Sequence, residues 1–122
     1  MMKMKDLDTS NFTGTTRYYR FSPITKAVLT DGTNYIATET ENFGLMQDIA
    51  LDLVGKQKVK HAMQNGFVVI DIDTESFGLK YSDGNNNALG GYPLIGYPEL
   101  KIRLFAGWAD EGVPVIFLPS EY

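Results

Sequence analysis

The sequence predicts an α+β fold, with one antiparallel sheet of about five to seven strands and one or two helices packed on one face. Three observations predict it. Runs rich in aromatic and β-branched residues occupy positions 17–38 and return from 67 to 118. Between them the apolar residues change to helical spacing. The strand-rich parts are thus segregated from the helical part rather than alternating with it, as parallel α/β chains do. The 122 residues fit one domain, 1–122, with positions 1–14 partly irregular.

Taken in order, Arg17 to Phe21 (RYYRF) reads as a short strand of β-favouring aromatics, interrupted by Ser22-Pro23 because proline removes a backbone donor. Ala27 to Thr38 reads as two β-type runs joined by Asp31-Gly32, a hairpin signal because both central residues of a type I′ turn need positive φ. Leu45, Met46, Ile49, Ala50 and Leu53 then fall at helical spacing, with Gln47, Asp48 and Asp52 on the other side. Asn42 or Thr40 can cap the start of this helix, and Gly55 can end it in a left-handed conformation. Val59, Ala62 and Met63 continue as a second, shorter helical segment closed by Gly66. Lys56, Lys58 and Lys60 crowd its start, the less favourable end for cations.

From Phe67 the β pattern returns. Phe67 to Asp73 and Phe77 to Ser82 read as neighbouring antiparallel strands. Leu100 to Phe105 alternates Leu100, Ile102 and Leu104 with Lys101 and Arg103, a strand with one wet face. Val113 to Leu118 is apolar on both faces and reads as an interior strand, with Pro114 at its margin. Asp83 to Pro98 holds four glycines, three asparagines, two prolines and two tyrosines. That Gly/Asn-rich composition predicts a long hairpin loop or an adaptable contact surface rather than regular structure.

Composition narrows the function classes. The chain is 43% hydrophobic and 21% charged, and a domain of this size buries roughly 65% of its unfolded surface, so its core needs no staples. The absence of cysteine removes disulfides, thiolate metal sites and cysteine nucleophiles. No apolar run approaches the ~20 residues that span a bilayer, and Met1 to Asp8 lacks the apolar stretch of a signal peptide. A cytoplasmic protein with no membrane association is therefore expected. The net charge is -4, and residues 27–55 carry five acids with no base, followed by the three lysines at 56, 58 and 60. Direct nucleic-acid binding is disfavoured, since it usually wants a basic domain with a clustered basic face.

No arrangement of residues matches a known chemistry. His61, the sole histidine, lies among lysines with no adjacent serine. Asp71, Asp73 and Glu75 share one strand face and could hold a divalent cation, but the calcium-loop pattern fails at Ser76 and Ser82. Charged residues on a solvent-facing strand edge explain them as well. Gly90-Gly91 is followed by no Lys-Ser/Thr, so there is no phosphate loop, and there is no Gly-x-Ser-x-Gly elbow. No catalytic residue, metal site or cofactor is assigned. In Arg17-Tyr18-Tyr19-Arg20 a strand would put Arg17 with Tyr19 on one face and Tyr18 with Arg20 on the other, suiting base stacking and phosphate contact, or else sheet packing with an arginine tied to the acidic C-terminus.

Phe12-Thr13-Gly14-Thr15 with Tyr18-Tyr19-Arg20, then Leu29-Thr30-Asp31-Gly32 with Tyr35, and Leu118-Pro119-Ser120-Glu121-Tyr122 together resemble a bacterial and phage domain-of-unknown-function family, number six-eight-seven-six. Where members tend to carry a tryptophan-containing stretch this chain has Asn42-Phe43-Gly44-Leu45, and its Asn/Gly-rich insert departs from the family pattern. The resemblance implies a small accessory or host-interaction protein of phage or mobile-element type, and supplies no activity. A pairing of Arg20 with Glu121 or the terminal carboxylate would explain why the two ends carry the recognisable residues.

The expectation is a non-enzymatic, acidic binding protein that acts by protein–protein contact and could inhibit a host defence complex. Its contact residues would be Asn85, Asn86, Tyr92 and Tyr97 of the 83–98 segment, with Asp110 and Glu111. The alternatives are a small-ligand, nucleotide-like module using Arg17, Tyr18, Tyr19 and Arg20, and a metal-dependent enzyme using Asp71, Asp73 and His61. A protein partner, a small molecule and a homodimer formed through an exposed strand edge are the associations considered.

Overall fold

The computed structural model describes residues 17–22, 24–108 and 113–121. The strands are β1 (Tyr19–Arg20), β2 (Val28–Leu29), β3 (Val68–Asp73), β4 (Gly78–Asp83), β5 (Ala88–Tyr92), β6 (Lys101–Trp108) and β7 (Pro114–Phe117). The helices are α1 (Asp31–Thr40), α2 (Phe43–Gly55) and α3 (Gln57–Gln64). The strands form one sheet in the order β1-β2-β7-β6-β3-β4-β5. All neighbours are antiparallel except β2 and β7, whose pairing of Val28 with Val115 and Leu29 with Ile116 is parallel. The fold is α+β, with three α-helices among the described residues where one or two were expected.

Strand alternation assigns the two faces. Val68, Ile70 and Ile72 of β3 register with Ala106, Leu104 and Ile102 of β6, and Ile70 and Ile72 with Tyr81 and Leu79 of β4. That face packs against Ile36 and Ala37 of α1, Leu45, Met46, Ile49 and Leu53 of α2, and Val59 and Met63 of α3 in one core. The opposite face carries a series of aromatic rings at one end. Phe67 and Phe105 have centroids 4.8 Å apart, and Phe105 meets Phe117 edge-on at 5.8 Å. Farther along β3 and β6 the same face turns polar. Arg103 grips both oxygens of Asp71 at 2.7 and 3.2 Å, and Lys101 lies 3.9 Å from Asp73. The acids of β3 therefore sit on an interior strand and pair across it, rather than guarding a sheet edge.

The Asp31-Gly32 hairpin is corrected: those residues begin α1. Thr30 is its N-cap, and the Thr30 hydroxyl accepts from the Thr33 N–H while the Thr30 N–H donates to Thr33 Oγ1 at 2.9 Å. The buried residues Thr33, Ile36, Ala37 and Thr40 follow helical spacing, a periodicity that the β-favouring residue types conceal. Glu121 completes the cap from the far end of the chain. Its carboxylate accepts from the Thr30 hydroxyl at 2.6 Å, the Leu118 N–H at 2.8 Å and the Gly32 N–H at 3.1 Å. An anion at a helix N-terminus is stabilised by the free N–H groups and the helix dipole. Glu121 is thus occupied by α1 rather than by Arg20, which is the second correction; Tyr122 lies outside the described residues.

Three smaller corrections concern ends and loops. The first strand shrinks to Tyr19–Arg20. The cap beyond α2 is Lys56 in an extended conformation, so the chain turns into α3 without a left-handed glycine at Gly55. The 83–98 segment is not wholly irregular, because Ala88–Tyr92 forms β5 at the end of the sheet. Two glycines within it fit an edge strand, whose outer side needs no packing partner.

Candidate functional site

The β4–β5 hairpin is built by one aspartate. Asp83 Oδ1 accepts from the N–H groups of Asn85 and Asn87 at 2.8 and 2.9 Å, and Oδ2 from the Asn87 side chain at 3.0 Å. The Asn87 amide, its backbone N–H and that of Asn85 hold the Asp83 carboxyl below the usual carboxylate range. Asn86 takes the left-handed conformation at φ 65° that Asn tolerates better than most residues. Asn85 and Asn86 are exposed at the tip.

Beyond this turn β5 runs along β4, pairing Leu79 with Tyr92, Lys80 with Gly91 and Tyr81 with Gly90. The approach is close: a Cβ on Gly91 would stand 2.4 Å from the Leu79 carbonyl oxygen, so only glycine fits. On the polar face of the sheet a cleft of about 480 Å³ is lined by Phe77, Lys80, Ser82, Gly91, Tyr92 and Pro93. Phe77 is 40% exposed, and the Lys80 ammonium lies 4.4 Å from its ring centroid. The cleft therefore joins an apolar wall, a cation and the backbone of an outermost strand.

Behind the hairpin, tyrosines fasten it to α2. The Tyr81 and Tyr92 hydroxyls both donate to Asp52 Oδ2, at 2.6 and 2.5 Å, and the Tyr97 hydroxyl donates to Asp48 Oδ2. Asp48 and Asp52 are one helical turn apart and so project on the same side of α2. Lys56 places its ammonium 5.1 Å from the Tyr92 ring centroid. Burial, and then the hydrogen bond to a carboxylate, raises the Tyr81 and Tyr92 phenols well above their ordinary value. The bond to Asp48, with some burial, pushes Tyr97 up to about 12. Tyr92 and Tyr97, expected as contact residues, thus have their hydroxyls committed within the chain. Sequence reading did not single out Asp48 and Asp52, although their i,i+4 spacing opposite the apolar stripe was the available signal.

A second depression, of about 540 Å³, lies between α3 and the hairpin and is lined by Lys58, His61, Asn65, Phe67, Gly84 and Leu89 among others. His61 Nε2 is 3.2 Å from the Asn65 amide nitrogen. At the other end of the sheet, Tyr19 and Arg20 form β1 and so point to its opposite sides, while Arg17 and Tyr18 precede the strand. The Tyr19 hydroxyl donates to Asp31 Oδ1 at 3.0 Å, which raises its phenol. Tyr18 is 59% exposed. These four residues and the hairpin lie at opposite ends of the seven-strand order. Asp110 and Glu111 lie outside the described residues. Among the described residues no group of three His, Asp or Glu side chains is placed to hold a metal ion. No helix there is long and apolar enough to cross a membrane.

A family model matches residues 4–122, and its description is the family of unknown function DUF6876. The match spans nearly the whole chain, and the protein belongs to that family. No curated protein and no solved structure matches the chain.

Proposed function

We propose that this chain is a non-enzymatic binding protein that captures an extended segment of a partner protein along β5. The observation that carries the reading is the position and chemistry of that strand. Among the described residues β5 ends the sheet, and the adjoining cleft opens between Phe77, Lys80 and the Gly91–Tyr92 backbone. An added strand would supply backbone hydrogen bonds at the edge and one side chain to the cleft. The cleft suits a large apolar residue against Phe77, followed by a carboxylate for Lys80. Catalysis has less support, because Asp71 and Asp73 face Arg103 and Lys101, and His61 has an asparagine beside it. The phage or mobile-element setting, with inhibition of a host defence complex as the outcome, rests on the family resemblance and is part of the proposal.

Selection of displayed linear peptides on the immobilised protein tests the reading. Enriched peptides should carry an apolar residue near an acidic one and should shift the backbone amide resonances of Ala88–Tyr92. Phe77→Ala and Lys80→Glu, both at exposed positions, should weaken them by tenfold or more. Peptides that bind without moving any β5 resonance would refute strand addition.

A second reading is favoured by the α3 depression, where Lys58 and His61 stand beside Phe67. A small planar anion would suit those groups, which makes the depression a second candidate place for a small ligand beside Arg17, Tyr18, Tyr19 and Arg20. A melting-temperature screen of nucleotides and aromatic acids tests it: a rise that Lys58→Ala removes supports the site.

A further inference from the structure

The outward face of α2 is the least explained surface among the described residues. At about 100° per residue, Phe43, Val54, Gln47, Leu51, Gly44 and Gly55 fall within roughly one third of the helix circumference, opposite the buried Leu45, Ile49 and Leu53. None of the six is charged. Phe43, Leu51 and Val54 remain 40%, 37% and 39% exposed. Surface helices ordinarily present polar residues there. The glycines add a second observation. A Cβ on Gly44 or Gly55 would meet nothing within 4 Å, so no contact inside this chain requires them to be small. Glycine is nonetheless the poorest helix former after proline.

We propose that this face is a homodimer interface, formed by antiparallel packing of α2 against α2 of a second copy about a two-fold axis at the level of Ile49. The pattern is self-complementary under that operation. Phe43 of one copy meets Val54 of the other along one side of the seam. Gly44 meets Gly55 along the other side, letting the backbones approach, and Leu51 lies across from Gln47 at the centre. Such isologous pairing is the commonest symmetry of soluble oligomers.

Charge selects a second copy as the occupant. The segment leading into α2 carries Glu39 and Glu41, and the segment leaving it carries Lys56, Lys58 and Lys60. No ion pair among the described residues uses these five. Antiparallel packing brings the acidic end of each copy to the basic end of the other, twice per dimer. The 13-residue seam with these flanks would bury about 1,000 Å² in total, the lower bound for specific interfaces. An interface of that size belongs with the weak, concentration-dependent associations. This interface lies on α2 and is separate from the β5 edge.

Sedimentation equilibrium of the full chain from about 10 to 200 µM tests it. The expected result is concentration-dependent dimerisation, weakened severalfold between low and high salt as the end charges are screened. Leu51→Glu or Val54→Lys should leave a monomer with an unchanged circular dichroism spectrum. The chain has no cysteine, so Gln47→Cys reports on its own image alone: mild oxidation should give a covalent dimer, while Gln64→Cys on α3 should not. A wild-type monomer throughout the range, or a dimer undiminished by both charge substitutions, overturns the proposal.

Discussion

Replacing Asp52 with alanine should destabilise the protein through two hydroxyls on other elements. Tyr81 is 1% exposed, and its O–H donates to Asp52 at 2.6 Å, so without the carboxylate a buried donor is stranded. Stranding such a group costs about 1–3 kcal/mol. Tyr92 loses the same acceptor but is only half buried and can turn to water, adding about 0.5–1 kcal/mol. Alanine's better helix propensity returns about 0.5 kcal/mol at most. The expected net loss is about 1–4 kcal/mol, or roughly 3–16 °C in melting temperature for a domain of this length. Urea unfolding followed by far-ultraviolet circular dichroism measures it. The mechanism is isolated by a cycle with Tyr81→Phe, which removes the stranded donor: Asp52→Ala in that background should cost at least about 1 kcal/mol less. A loss below about 0.5 kcal/mol, or a coupling near zero, would refute the fastening role of Asp52.

Glu121→Ala should cost about 1.5–3 kcal/mol, because its carboxylate serves Thr30, Gly32 and Leu118 at once, whereas Arg20→Ala should stay within about 0.5 kcal/mol; thermal melts of the two variants distinguish this from an Arg20–Glu121 tie. The tyrosine phenols predict alkaline sensitivity. Tyr81, Tyr92 and Tyr97 are all raised in the folded state above their ordinary value of 10.0, so the stability they contribute is fully present below pH 10. It is lost as pH rises through the folded values, beginning with Tyr97 at about 12, and urea midpoints should fall steadily above pH 10. Gly78→Ala should cost about 2–4 kcal/mol, since φ is +88° and a Cβ would stand 2.5 Å from the Tyr92 carbonyl oxygen; a soluble variant with an unchanged midpoint would contradict that packing.

The amino-acid sequence by itself determined the α+β class, the helix at Leu45–Leu53, the β3–β4 pairing and the interior position of β7. Each follows from a pattern among neighbours close in the chain, because burial of one face imposes period 3.6 on a helix and period 2 on a strand, and burial of both faces makes a strand such as β7 apolar throughout. The local signal misled at Asp31-Gly32. A β-turn dipeptide between β-favouring residues looks the same whether or not a cap is available, and the deciding carboxylate arrives from Glu121, 89 residues beyond Gly32. The candidate sites were legible only as residue types. Tyr92 and Tyr97 were visible as tyrosines in a glycine-rich stretch, but their engagement by Asp52 and Asp48 depends on α2 lying against the hairpin. The cleft beside Phe77 and Lys80 exists because Gly91 fits against Leu79 at the sheet edge. Strand order decides which strand is an edge, and that order is set by long-range pairing whose contacts leave no periodic mark on the chain.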